Sequence, residues 1–156
     1  MDQTIREIRG TIFALQARDT GSQPGPRAGI VGLVEEMTAA LGLAPSLRLG
    51  AGLRTLNSEE LAGQALAVLR EALPNVARHA GASRADVTVD VDHDGILSVI
   101  VTDNGTGLAP GGRRSGLRNL ADRAKDLGGE LRLGQADPAA PRPGTRLEWR
   151  VPVAIV

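Results

Sequence analysis

Residues 96–107 read Ile-Leu-Ser-Val-Ile-Val-Thr-Asp-Asn-Gly-Thr-Gly. The apolar run from Ile96 to Thr102 reads as a central strand. It ends at Asp103, and residues 103–115 (DNGTGLAPGGRRS) are Gly-rich and polar. Asn104-Gly105 is a strong turn signal, and taken alone it makes a tight hairpin. Residues 106–115 do not resume strand alternation, however, and read as a long flexible segment before the next helix. An aspartate at the end of a buried strand can accept a hydrogen bond from an exocyclic amine. Glycines beside it let the backbone approach a ligand closely.

Downstream, Gly116 to Leu127 reads as a helix that Gly128-Gly129 ends. A glycine at a helix N-terminus, after a Gly-rich loop, presents backbone N–H groups to an anion. Arg113 and Arg114 stand just before it, either facing phosphates or as plain surface charge. Leu131 and Leu133 mark a strand, residues 137–143 a Pro-rich loop, and Thr145 to Val153 a last strand. That strand carries Leu147, Trp149 and Val151 on one face.

Upstream, Ala85 to Asp92 alternates Val87, Val89 and Val91 against Thr88, Asp90 and Asp92, the pattern of a half-buried strand. His93-Asp94-Gly95 makes a turn. The longest helix opens at Asn57-Ser58-Glu59-Glu60, with Asn57 as the cap and Glu60 completing a capping-box-like pattern. It runs to about His79, interrupted by Pro74. Leu43 to Leu56 reads as short strands with turns, and Gly29 to about Leu41 as another helix. Residues 1–18 read as a helix, with Ile5, Ile8, Ile12 and Leu15 in a heptad-like stripe. Thr20 to Arg27 is linker-like. The expected organisation is helix 1–18, linker 19–27 and a domain over 28–156. Helices in one run and antiparallel hairpins in another give an α+β two-layer sandwich.

Composition narrows the function. The 18 basic and 18 acidic residues cancel, which argues against holding nucleic acid by bulk electrostatics. There is no cysteine, so disulfides, thiol catalysis and zinc-thiolate sites are excluded. Phe13 and Trp149 are the only aromatics, too few for base-stacking platforms. His79 and His93 are the only histidines, which leaves little for a multi-histidine metal site. No segment has the ~20 apolar residues of a membrane span, and the charged start is unlike a signal peptide. A cytoplasmic protein is the expectation.

On the longest helix Glu71 and Asn75 stand four apart and share a face, with Arg78 and His79 one turn further on. A carboxylate, an amide oxygen and a cation on one face suit a magnesium-phosphate cluster, because hard cations prefer oxygen ligands. An ordinary solvated helix face explains the same residues singly.

Their order is harder to dismiss. Glu-x3-Asn-x2-Arg-His, then strand-Asp-x-Gly-x-Gly, then a loop into Gly-Leu-Arg-Asn-Leu, then Gly-Thr-x-Leu-x-Trp resembles the ATP-binding catalytic domain of sensor histidine kinases over residues 28–156. The resemblance implies the Bergerat ATP-binding sandwich, a mixed, mainly antiparallel sheet with helices on one face. It also implies ATP and Mg2+ as cofactors. On it, Glu71 matches the general base that polarises the attacking imidazole, and Asn75 the magnesium ligand. Arg78 and His79 match positions beside the phosphates. Asp103 matches the aspartate that binds the adenine amine, and Gly105 and Gly107 the close-approach and lid-hinge glycines. Gly116 and Leu117 match the second glycine box, and Thr145 the threonine that helps hold Asp103 and the adenine.

EALPNVARHA, the compact lid and GLRNLADR resemble the subfamily that pairs with NarL/LuxR-type response regulators. Residues 2–16 resemble the end of the second dimerisation helix in its GAF-domain haem- or redox-sensing members. The partners implied are a dimerisation domain carrying the phosphoacceptor histidine and such a regulator, with no direct nucleic acid and no membrane for this fragment. Neither His79 nor His93 has the acceptor's context, so the resemblance implies a donor fragment that binds ATP without phosphorylating itself. Pro74 departs from the family's usual Thr, Ser or Ala. Two alternatives stay open: an anti-sigma-type serine protein kinase of the same fold, and a degenerate, non-catalytic nucleotide-binding module.

Overall fold

The computed structural model describes residues 25–56, 58–79, 82–105 and 114–153, with backbone only for 76–79 and 114–115. The helix expected over residues 1–18 therefore lies outside the described residues. In chain order the elements are α1 (Pro26–Leu41), β1 (Ser46–Leu49), a 3-10 turn (Ala51–Thr55) and α2 (Glu59–His79). Then come β2 (Ala85–Val91), β3 (Ile96–Asp103), α3 (Arg114–Asp126), β4 (Glu130–Gly134) and β5 (Thr145–Pro152).

The five strands form one sheet in the order β1-β2-β3-β5-β4. β1 runs parallel to β2, and every other pairing is antiparallel. Alternation decides which side is core. Val87, Val89, Leu97, Val99, Trp149 and Val151 point one way and are buried under the helices. The opposite face is polar, with Arg146, Glu148 and Arg150 in ion pairs of 2.9 and 3.7 Å on β5. α2 supplies the largest helical share of the core through Leu61, Ala65, Val68, Leu69, Ala72 and Leu73. Trp149 packs in the core and donates its indole N–H to the Leu120 carbonyl at 3.1 Å. That bond meets the indole's need for a partner when buried and ties α3 to the sheet.

Several local expectations shift. α1 begins at Pro26 rather than near Gly29, since proline has no N–H to lose at a first helical position. Between Leu43 and Leu56 there is one strand and one 3-10 turn rather than several strands. Asn57 lies outside the described residues, and the cap falls on Ser58, whose hydroxyl accepts the Leu61 N–H at 3.1 Å. α2 is not interrupted at Pro74 but continues to His79. Proline removes only one helical N–H, while Leu69, Ala72 and Leu73 just before it stay clamped in the core. α3 starts two residues before Gly116. It ends as expected, with Gly128 at φ 81° and the Gly129 N–H returning to the Ala124 carbonyl at 2.7 Å.

Candidate active site

β3 carries its own alternation one residue past the apolar run. Leu97, Val99 and Val101 are buried, and two residues on Asp103 points the same way, only 8% exposed. A carboxylate thus stands where the pleat places a core side chain. Its Oδ1 accepts the Gly105 N–H at 2.9 Å, and the Thr145 N–H also favours its charged form. Burial outweighs both and pushes the Asp103 carboxyl up from its ordinary 3.8. A carboxylate has about four acceptor positions, so capacity is left for a donor from outside the chain.

The Asn104-Gly105 signal does not make a hairpin. β3 pairs next with β5, Asp103 opposite Thr145. The Gly105 carbonyl accepts the Gly144 N–H at 2.9 Å, which closes the strand end. Gly144 sits at φ 70°, and a Cβ there would lie 2.0 Å from the Asp103 carbonyl oxygen. Only glycine meets both conditions. Asn104 turns outward and holds the chain that follows α2. Its Oδ1 accepts the Ser83 and Arg84 N–H groups at 3.0 and 2.9 Å, and its Nδ2 donates to Ser83 Oγ at 3.0 Å.

A second group forms where α2 meets α3. Glu71 and Asn75 are half-buried, one turn apart. The Glu71 carboxylate rests against Gly116, which is buried in the first turn of α3. Arg123 Nη1 donates to Gln64 Oε1 at 2.7 Å and fastens the same two helices. Leu117 is half-buried and packs against the core. Arg78 and His79 lie on the last turn of α2, their side chains outside the described residues, as is all of Gly107.

The structure thus gathers Asp103, Gly105 and Thr145 at one strand end, and Glu71 and Gly116 at one helix contact. Sequence reasoning missed the clasp made by Asn104 and the tight approach at Gly144. Their signals were visible, Asn-Gly as a turn and Gly-Thr as part of the family pattern.

The family model for histidine kinase-, DNA gyrase B-, and HSP90-like ATPases matches residues 62–155. The chain belongs to this family. Its fold is similar to that of the mycobacterial sensor histidine kinase MprB, with a TM-score of 0.61 at 19% identity, over 82% of this chain and 95% of that one. It is also similar to the blue-light activated histidine kinase EL346 of Erythrobacter litoralis, with a TM-score of 0.64 at 19% identity. That match covers 98% of this ATPase domain chain but only 55% of the longer protein. The ATP binding domain of PrrB from Mycobacterium tuberculosis gives 0.53 at 22% identity, over 81% of this chain and 95% of that one. At these identities the likeness is one of fold. Among the described residues of this ATPase-family chain, no helix is long and apolar enough to cross a membrane.

Proposed function

We propose that this domain is the ATP-binding catalytic part of a two-component sensor histidine kinase. It donates the γ-phosphate of ATP to a histidine on a dimerisation domain. The observation that carries this is Asp103, a buried carboxylate on a core strand, with spare acceptor capacity beside close-packed glycines.

Asp103 accepts the adenine amine, with Thr145 holding it from the facing strand. Gly105 and Gly107 give the nucleotide close backbone, and Gly116 and Leu117 border the phosphates and base. Arg78 and His79 bring positive charge or N–H donors toward the phosphates. Asn75 suits magnesium, which takes few protein ligands and completes its shell with phosphate oxygens and water. A bound magnesium ion would supply charge neutralisation at the phosphates. Glu71 takes the proton side of an attacking imidazole as the N–P bond forms and the bond to the leaving phosphate oxygen breaks. The uninterrupted α2 supports this pairing, because it keeps Glu71 and Asn75 one turn apart despite Pro74.

The sequence of residues 2–16 supports a dimerisation helix before the domain. The EALPNVARHA and GLRNLADR segments support a NarL/LuxR-type response regulator as the downstream partner, in the cytoplasm. To test the function, the chain is mixed with a separate dimerisation domain, labelled ATP and magnesium. Acid-labile phosphohistidine on that domain is expected, lost with Glu71→Gln. Label on serine would favour the serine-kinase reading. No transfer, although ATP binds, would favour the non-catalytic one.

A further inference from the structure

We infer that Gly116 is a positioning residue for Glu71: the bare glycine is the seat on which the carboxylate of the candidate base rests. Glycine is the poorest helix former after proline, so its presence inside a helical turn calls for a cause. α1 and α2 contain Gly29, Gly32 and Gly63, and an added Cβ meets nothing closer than 3.6 Å at any of them. At Gly116 the added Cβ would lie 2.0 Å from Glu71 Oε1 and 3.1 Å from its carboxyl carbon. Among the described α-helical glycines, this is the one where an added Cβ collides, and what it meets is the carboxylate end of Glu71.

The seat is rigid on both sides. α3 is held to the sheet by the Trp149–Leu120 bond and to α2 by the Arg123–Gln64 bond. Ala72 and Leu73, next to Glu71 on α2, are buried in the core. With neither backbone free to yield, an alanine at 116 moves the carboxylate. To regain ordinary van der Waals separation, Glu71 Oε1 must shift by on the order of 1 Å. A displacement of that size at a reacting group costs up to about 100-fold in rate. The inference deepens the proposed kinase function and rests on it.

The test is a cycle of Gly116→Ala and Glu71→Asp, the shorter acid drawing back from the new methyl. Phosphoryl transfer to a separate dimerisation domain is measured at saturating magnesium-ATP, with nucleotide affinity measured separately. In the native background Gly116→Ala is expected to slow kcat at least about 10-fold, by more than it weakens ATP binding. In the Glu71→Asp background the same substitution is expected to cost under about 3-fold. Equal costs in both backgrounds would overturn the inference and leave the kinase reading standing. Failure of the unaltered chain to bind magnesium-ATP would overturn both. A melting cycle with Glu71→Ala reads the same contact without any nucleotide. Gly116→Ala should raise the melting temperature less with Glu71 present than without it, and equal shifts would contradict the seat.

Discussion

The two ends of β3 each carry an aspartate followed closely by a glycine, and they behave differently. Asp92, just before the strand, is exposed. Its Oδ1 accepts the Asp94 and Ile96 N–H groups at 2.9 and 3.0 Å, both inside the turn, and Gly95 closes the hairpin at φ 74°. Asp103, at the far end, is buried, and its chain does not turn back. The same chemistry serves local fastening where water reaches the carboxylate. It leaves a carboxylate in waiting where the pleat drives it into the core. Burial by alternation separates a turn aspartate from the aspartate proposed to recognise the base.

The largest expected effect concerns base choice. On the proposed function an adenine amine donates to Asp103, whereas guanine would present an oxygen at that place and repel a carboxylate. The unaltered chain should prefer ATP to GTP by more than about 100-fold, since a site built to hydrogen-bond one group rejects an analogue lacking it by up to about 10⁴–10⁵. Asp103→Ala should flatten the ratio in competition binding, and a ratio that survives would break the contrast between the two ends. Next comes Gly144→Ala, which imposes both a left-handed φ and a backbone collision on Asp103. It should destabilise by about 2–4 kcal/mol in denaturant unfolding, within the upper range for strained or overpacked sites. Gly95→Ala, at φ 74°, should cost about 1 kcal/mol. Equal losses would mean that the site end is no tighter than the hairpin. Asp92→Ala should cost about 1 kcal/mol of stability for its two turn bonds and leave nucleotide affinity alone.

The smallest effect is a pH dependence. The folded chain holds the Asp103 proton more tightly than the unfolded chain does, since burial raises this carboxyl. Between the ordinary 3.8 and the raised value, the native state binds more protons, so this group's contribution to stability falls as pH rises. That contribution is fully present below 3.8 and lost above the raised value. Asp103→Asn should remove the slope in a pH series of unfolding curves, and an unchanged slope would assign it elsewhere.

Much of the fold was legible because its signals are local. The alternation of Val87, Val89 and Val91 and the apolar run into Asp103 gave β2 and β3, and Gly128-Gly129 gave the end of α3. The cap moved from Asn57 to Ser58 because a one-residue choice at a helix start depends on where the first N–H groups point. Pro74 looked like a break because sequence shows the lost hydrogen bond but not the core that clamps the turn before it. The parallel pairing of β1 with β2, the Asn104 clasp on Ser83, the Gly144 approach to Asp103 and the Glu71 seat on Gly116 all join distant residues. No spacing rule reaches them. The candidate site was legible as a list of residues, and the contacts between those residues were not.

The most direct measurement is a calorimetric titration of magnesium-ATP into three proteins: the unaltered chain, Asp92→Ala and Asp103→Ala. The buried-aspartate account predicts magnesium-dependent binding in the first two, with equal affinity, and none detectable in the third. Undiminished binding by Asp103→Ala would contradict it.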